Sequence, residues 1–128
     1  MKILFDTVTF LWLVEGSPQL SSTATQLVED ISNVVYLSAA SGWEIATKSV
    51  RGKLKLAQPA WRLVPKQREL HGFESLPINE EAALHAARLP HLHRDPFDRM
   101  LVSQAILNGL TLLTPGPLIT SYAVKTLW

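Results

Sequence analysis

The segment His93-Arg94-Asp95-Pro96-Phe97-Asp98-Arg99-Met100 begins the helix that most clearly indicates the fold. Asp95 is a favourable N-cap residue, and Pro96 suits the first helical turn. Asp98 lies where an acidic side chain completes a capping box and interacts well with the positive end of the helix dipole. The helical pattern that starts here continues until Gly109.

Short apolar runs alternate with helical patterns along the rest of the chain, which is typical of βαβ units and a parallel sheet. Strands are predicted at Ile3–Asp6, Val34–Ser38, Phe73–Ile78 and Leu110–Thr114, and Val124–Leu127 could add a fifth. The other helices are predicted at Val8–Glu15, at Leu20–Asp30 with Ser21 or Ser22 as the cap, from about Ser41 to Gly52, at Pro59–Leu70 with a bend or break at Pro65, and from Asn79 to about Leu89. The sequence therefore predicts one α/β domain over residues 1–128.

The length and composition limit the class of protein. A chain of 128 residues can close one hydrophobic core without disulfides, and the absence of cysteine excludes a disulfide framework, a thiolate metal site and a cysteine nucleophile. The apolar run Ile3–Phe5 is interrupted by Asp6, far short of a secretory signal or a membrane span. We therefore expect a cytoplasmic protein without a membrane segment.

Basic residues are concentrated in the middle of the chain. No acidic residue interrupts this segment until Glu69. Its seven basic residues are Lys48, Arg51, Lys53, Lys55, Arg62, Lys66 and Arg68. The segment could attract phosphate groups, or it could simply be a solvated helix face.

Three carboxylates occur where the pattern otherwise favours burial. Asp6 follows the first apolar strand, Glu44 lies in the mostly apolar stretch 39–46, and Asp98 begins the helix that leads into the fourth strand. Ligands of open parallel sheets bind beyond the carboxyl ends of the strands, so these side chains can converge. An all-oxygen ligand set favours Mg²⁺ or Mn²⁺, and such an ion suits phosphodiester hydrolysis.

Each carboxylate also has a purely structural interpretation. Asp6 could cap the following helix, Glu44 could lie on a solvated helix face, and Asp98 could serve only the helix dipole. His91 and His93 with Asp95 are spaced like metal ligands, but they lack a fourth ligand for zinc.

Several other side chains are candidates for supporting roles. The hydroxyl groups of Thr7 and Thr114 could hold a water or a phosphate oxygen, and Arg99 could contact a phosphate or pair with an acid. The four tryptophans, at positions 12, 43, 61 and 128, are interpreted as core or interface anchors.

Five blocks of this sequence, in this order, resemble a PIN-domain protein of the VapC toxin type. The two most specific are Trp43-Glu44-Ile45-Ala46 and Asp95-Pro96-Phe97-Asp98-Arg99. The others are Phe5-Asp6-Thr7, Ser38-Ala39-Ala40-Ser41, and Leu110-Thr111-Leu112-Leu113-Thr114 before a terminal Leu127-Trp128.

This resemblance implies a Rossmann-like PIN domain with a central parallel sheet of four or five strands, and a Mg²⁺-dependent endoribonuclease of a toxin–antitoxin pair. It implies that Asp6, Glu44 and Asp98 hold the ion and a metal-activated water. The remaining candidate residues are Thr7, Asp95, Arg99 and Thr114 as supporting groups, and Lys48, Arg51 and Lys53 as RNA contacts. The expected partners are RNA, a small antitoxin protein and a second copy of the chain.

The sequence departs from the family pattern at two places. Gly116 stands where the family commonly has a further Asp, and Val8 follows Asp6-Thr7 where the family often has another residue. No acidic residue follows in the tail from Pro117. An alternative hypothesis is therefore a catalytically weakened PIN domain that binds an antitoxin or RNA. A phosphoacceptor receiver domain is disfavoured, because Asp6-Thr7-Val8 and Pro77-Ile78-Asn79 lack its acidic residues.

Overall fold

The computed structural model describes residues 1–128 and contains one parallel sheet. Its strands are β1 (Lys2–Phe5), β2 (Val34–Ser38), β3 (Glu74–Leu76), β4 (Thr111–Leu113) and β5 (Thr126–Leu127). They lie in the order β3-β2-β1-β4-β5, and each neighbouring pair is parallel. The predicted α/β fold is therefore confirmed, and its sheet has five strands.

Six α-helices connect and cover these strands. They are α1 (Thr7–Glu15), α2 (Ser22–Glu29), α3 (Ala39–Val50), α4 (Ala60–Leu70), α5 (Glu80–Arg88) and α6 (Pro96–Asn108). A short 3₁₀ helix, Ile119–Ser121, which the sequence pattern does not predict, precedes β5. None of the helices combines the length and the apolar character needed to cross a bilayer.

Several element boundaries differ from the prediction for local reasons. The third strand is shorter than predicted, because Pro77 follows it and has no N–H to donate to a neighbouring strand. Helix α3 begins at Ala39 instead of Ser41, since Ser38 Oγ accepts a hydrogen bond from Ala40 N–H at 3.0 Å and caps the helix directly after β2. Helix α4 is not divided at Pro65.

The sheet has a hydrophobic cluster on each face. Alternate residues of β1 point to opposite faces, so Ile3 and Phe5 belong to one cluster and Leu4 belongs to the other. The first cluster includes buried residues of α1, α2, α3 and α4, and the second includes Leu101 and Val102 of α6. Burial on both faces makes β1 the central strand of the core.

The pairing of β1 with β4 extends one residue beyond the strands, to the place where the acidic residues gather. Asp6 N–H donates to Leu113 O at 3.1 Å, and Thr9 Oγ1 donates to the same carbonyl at 3.2 Å. These bonds hold the start of α1 against the end of β4. The sheet thereby fixes the backbone that carries the first carboxylate.

Candidate metal centre

The candidate carboxylates lie on three elements that meet at one edge of the sheet. Asp6 directly follows β1 and caps α1, where its Oδ1 accepts the Val8 N–H at 3.4 Å. Glu44 lies in α3, which follows β2 without a loop, and Asp98 lies in the first turn of α6. The end of β1, the middle of α3 and the first turn of α6 therefore supply the three groups.

Asp6 is buried and is held by the end of β4. Thr114 Oγ1 donates a hydrogen bond to Asp6 Oδ2 at 2.6 Å and accepts one from Gly116 N–H at 3.0 Å. Burial raises the pKa of Asp6 above its usual value, although the Thr114 hydrogen bond acts in the opposite direction. Thr114 therefore orients the carboxylate and partly offsets the cost of its charge.

Glu44 is also buried, with only 5% of its surface exposed. Its Oε2 accepts a hydrogen bond from Lys48 Nζ, one helical turn away, and this bond raises the pKa of Lys48. Its other oxygen, Oε1, is buried and has no hydrogen-bond partner. An ionised oxygen in this position is costly unless a cation or a donor satisfies it.

Asp98 contacts the loop before α6. His93 Nε2 lies 2.7 Å from Asp98 Oδ2, so Asp98 does not close the capping box that the sequence predicts. Burial is the main cause that raises the pKa of Asp98 to about 6, and the negative charges of Asp6, Asp95 and Glu44 act in the same direction. The four carboxylates are therefore electrostatically coupled.

Asp95 performs the capping role that the sequence predicts. Its Oδ1 accepts hydrogen bonds from Phe97 N–H at 2.9 Å and from Asp98 N–H at 3.4 Å. Possible ligand atoms of His93, Asp95 and Asp98 lie within 4.8 Å of one another. The predicted set of Asp6, Glu44 and Asp98 does not form such a group, although the negative charges of Asp6 and Glu44 contribute to the raised pKa of Asp98. His93, which is not in the predicted metal set, lies beside the carboxylate of Asp98.

The residues present fit a hard divalent cation. The donors are carboxylate oxygens, one of them buried and unpartnered, and the cluster carries more negative than positive charge. The imidazole of His93 contacts Asp98, which is typical of a group that orients a metal-binding carboxylate.

Thr7 and Arg99 have structural partners. Thr7 Oγ1 donates to Ser41 Oγ at 2.9 Å and joins the starts of α1 and α3. Arg99 lies in α6, and its guanidinium is buried beneath the loop before this helix, where it forms no ion pair with a carboxylate. It donates to the carbonyl oxygens of Ala86, Leu89, Pro90 and His93 and to the hydroxyl group of Tyr122.

The three basic candidates occupy different positions. Lys48 pairs with Glu44, whereas Arg51 and Lys53 are exposed just after α3. Lys48 and Lys53 line the same pocket as Glu44 and Thr7. Positive charge therefore lies directly beside the carboxylates.

The tryptophans do not share one role. Trp12 packs with Trp128, with ring centroids 5.7 Å apart, as expected for an anchor. Trp43 and Trp61 are instead 65% and 72% exposed, so neither belongs to the core, and the alternative of an interface anchor stays a prediction for both. Trp43 contacts Phe97 edge to face, with ring centroids 5.2 Å apart.

Comparisons with known proteins agree with this architecture. Ribonuclease VapC16 of Mycobacterium tuberculosis is 33% identical over 72 residues, which cover 53% of this chain and 51% of that protein. The match therefore spans about half the length of the curated relative.

Two solved structures share the fold over nearly the whole chain. VapBC2 from Rickettsia felis, bound to a DNA fragment from its promoter, has a TM-score of 0.72 and 12% identity, and the match covers 99% of this chain and 98% of that one. FitAcB from Neisseria gonorrhoeae has a TM-score of 0.66 and 21% identity, with coverage of 98% and 96%. At these identities the likeness establishes the fold alone. The PIN domain model matches residues 3–123, so the chain belongs to the PIN domain family.

Proposed function

We propose that this chain is a divalent-metal-dependent endoribonuclease and the toxin of a VapBC-type toxin–antitoxin pair. The observation that carries the proposal is Glu44 Oε1, a buried carboxylate oxygen without a partner beside three further carboxylates. The partial match to a ribonuclease, VapC16, supports the reaction class.

Asp6, Glu44 and Asp98 would hold Mg²⁺ or Mn²⁺. When bound, the ion supplies charge neutralisation at a phosphate and activation of water for attack on phosphorus. The other groups would keep the ligands in place: Thr114 orients Asp6, and Thr7 ties α1 to α3. Preorganisation of this kind reduces the cost of bringing charged ligands together.

Hydrolysis forms a bond between a water oxygen and phosphorus and breaks the bond between phosphorus and the leaving nucleoside oxygen, which then takes a proton. The proton that the attacking water loses balances the one that the leaving oxygen gains. In this chain, His93 Nε2, 2.7 Å from Asp98 Oδ2, would orient the Asp98 carboxylate. The exposed cations of Arg51 and Lys53 would bind RNA phosphates near the carboxylates.

The partners of this function would be RNA, a small antitoxin and a second copy of the chain. The named structural neighbours VapBC2 and FitAcB support an antitoxin partner. Because cellular RNA would be its substrate, we expect the protein to act in the cytoplasm. Residues 1–128 would form the whole PIN domain.

The second candidate is a PIN domain that binds but no longer cleaves. One specific observation favours it. After β4, Asp6 receives a hydrogen bond from the hydroxyl group of Thr114, and Gly116 occupies the position where the family commonly has a further Asp. The site then has one negative charge fewer for a second cation.

Cleavage of total RNA by purified, antitoxin-free protein with Mg²⁺ or Mn²⁺ tests the proposal. We expect discrete products from the natural chain, their loss in Glu44→Gln and Asp6→Asn, and unchanged products from Glu69→Gln, which neutralises an exposed glutamate on α4. Equal cleavage by Glu44→Gln and the natural chain would contradict the proposal. Absence of cleavage in all of them, with RNA or antitoxin binding retained, would favour the binding module.

A further inference from the structure

Two aromatic side chains lie immediately beside the carboxylates and outside the core. Trp43 precedes Glu44 on α3, and Phe97 precedes Asp98 on α6. Their rings meet edge to face at an interplanar angle of 76°. The pair therefore bridges the two helices that carry the second and third carboxylates.

The pair is built to hold an aromatic face toward solvent. Phe97 is half-buried, and its backbone N–H is fixed by the Asp95 cap at 2.9 Å. Trp43 rests on it and keeps 65% of its surface exposed. A large exposed indole held by a neighbouring ring loses little conformational entropy when a planar ligand stacks on it.

The surroundings favour a nucleobase over a protein helix as the occupant. The neighbours of Trp43 one turn away on α3 are small residues, namely Ala39, Ala40, Ala46 and Thr47, and the next large exposed apolar side chain on this face is Val50, two turns away. Positive charge lies beside Glu44, the residue after Trp43: Lys48 pairs with Glu44, and Lys53 lines the same pocket. An exposed aromatic platform next to such charges is complementary to one base and its adjoining phosphates.

We propose that Trp43, supported by Phe97, is a stacking subsite for an unpaired base of the RNA whose phosphate lies at the carboxylates. This inference rests on the proposed ribonuclease function and specifies its substrate class. Bases inside a duplex have no free face, so the subsite selects single-stranded RNA or the loop of a folded RNA.

The test is the equilibrium binding of a short, fluorescein-labelled single-stranded RNA of mixed sequence, followed by fluorescence anisotropy. Each protein carries Asp6→Asn, which prevents cleavage, and circular dichroism verifies its fold. We expect Trp43→Ala to raise Kd about 5- to 150-fold, the effect of one lost base stack, and Trp43→Phe to restore most of the affinity. The matched control is Trp61→Ala, which removes an equally exposed tryptophan from α4 and should leave Kd unchanged.

A duplex RNA of the same composition should bind Trp43→Ala and its parent equally. The inference is overturned if Trp43→Ala and Trp61→Ala bind the single-stranded RNA with the same affinity. It is equally overturned if Trp43→Ala weakens the binding of single-stranded RNA and of duplex RNA by the same factor. It is also overturned if Trp43→Ala leaves RNA binding intact and instead changes the oligomeric state or weakens the antitoxin complex, because the indole would then belong to a protein interface.

The two proposals fail in different ways. If the natural chain cleaves RNA but Trp43→Ala binds it normally, the ribonuclease function stands and the subsite is wrong. If the natural chain neither cleaves nor binds RNA, both are wrong. If RNA binding depends on Trp43 but the natural chain does not cleave, the nuclease proposal fails and the subsite belongs to an RNA-binding module.

Discussion

Thr114 Oγ1 donates a hydrogen bond to Asp6 Oδ2 at 2.6 Å, across 108 positions of the chain. The same hydroxyl accepts from Gly116 N–H, so its proton is directed to the carboxylate. The ends of β1 and β4 are thereby joined at the carboxylate that would hold the cation in the proposed function.

Thr114→Val should weaken Mg²⁺ binding about 10- to 100-fold, which is the usual cost of removing a group that orients a metal ligand. The isosteric change removes the hydrogen bond that opposes the raised pKa of Asp6. Isothermal titration calorimetry measures the effect, with Thr120→Val as the control because its hydroxyl group is exposed. An unchanged Kd in Thr114→Val would show that the bond has no role in the site.

The metal-free protein should lose stability as the pH rises from about 4 to about 6. The pKa of Asp98 is raised from 3.8 to about 6 in the folded protein. The folded state therefore binds more protons than the unfolded chain in this range, and the free energy of unfolding falls as the pH rises. Since Asp98 is partly solvated, we expect its share to be about 1–2 kcal/mol.

Urea unfolding in EDTA at both ends of this range measures the decrease. Asp98→Asn should reduce it, whereas Asp30→Asn should not, because Asp30 is exposed and its pKa is lowered by Ser32. Saturating Mg²⁺ should restore stability at the higher pH, since cation binding favours the ionised carboxylates. A decrease of the same size in Asp98→Asn would assign the proton to another group.

Lys48→Met should tighten Mg²⁺ binding about threefold to tenfold, because a positive charge leaves a cluster that must accept a cation. Lys48 pairs with Glu44 and also interacts with the charges of Asp95 and Asp98. Lys66→Met, on the exposed face of α4, is the control. Weaker Mg²⁺ binding in Lys48→Met would mean that the ammonium group orients Glu44 rather than competing with the ion.

Comparison of Gly116→Asp with Gly116→Ala distinguishes the effect of an added negative charge after β4 from the effect of an added Cβ. A Cβ at Gly116 would lie 3.2 Å from Thr114 Oγ1, which is tight against a hydroxyl group that already has two hydrogen bonds. We expect Gly116→Ala to lower metal-dependent activity severalfold by displacing that hydroxyl group. Cleavage by Gly116→Asp that exceeds cleavage by Gly116→Ala would show that a fourth carboxylate compensates for the displacement.

Arg99→Leu should lower the free energy of unfolding by about 3–5 kcal/mol, since the buried guanidinium satisfies four carbonyl oxygens and one hydroxyl group. Arg88→Leu, at the exposed end of α5, should change it by no more than about 0.5 kcal/mol. Urea unfolding in EDTA measures both. A loss of RNA binding in Arg99→Leu without a loss of stability would instead assign Arg99 to phosphate recognition.

Local patterns predicted the fold because its elements are determined locally. Asp95 caps α6 and Ser21 caps α2, as their positions before helical patterns indicate. The apolar run Ile3–Phe5, ended by Asp6, identified the first strand. In the same way, carboxylates at the ends of strands indicated the edge of the sheet where the site lies.

The contacts of Asp6 with Thr114 and of Arg99 with Ala86 and Tyr122 could not be predicted, because they join residues that are distant in sequence. The exposure of Trp43 could not be predicted either, because a tryptophan can anchor a core or an interface, and only tertiary packing distinguishes the two.

The order of the strands has a consequence for a chain that is still being synthesised. β1 is translated first, yet one of its two neighbours is β4, and the hydroxyl group that holds Asp6 follows β4. While residue 114 is still inside the ribosome, the carboxylate of Asp6 therefore lacks the hydrogen bond that orients it. The topology therefore delays assembly of the candidate site until residue 114 has emerged, so products terminated before that residue lack the hydroxyl group that holds Asp6.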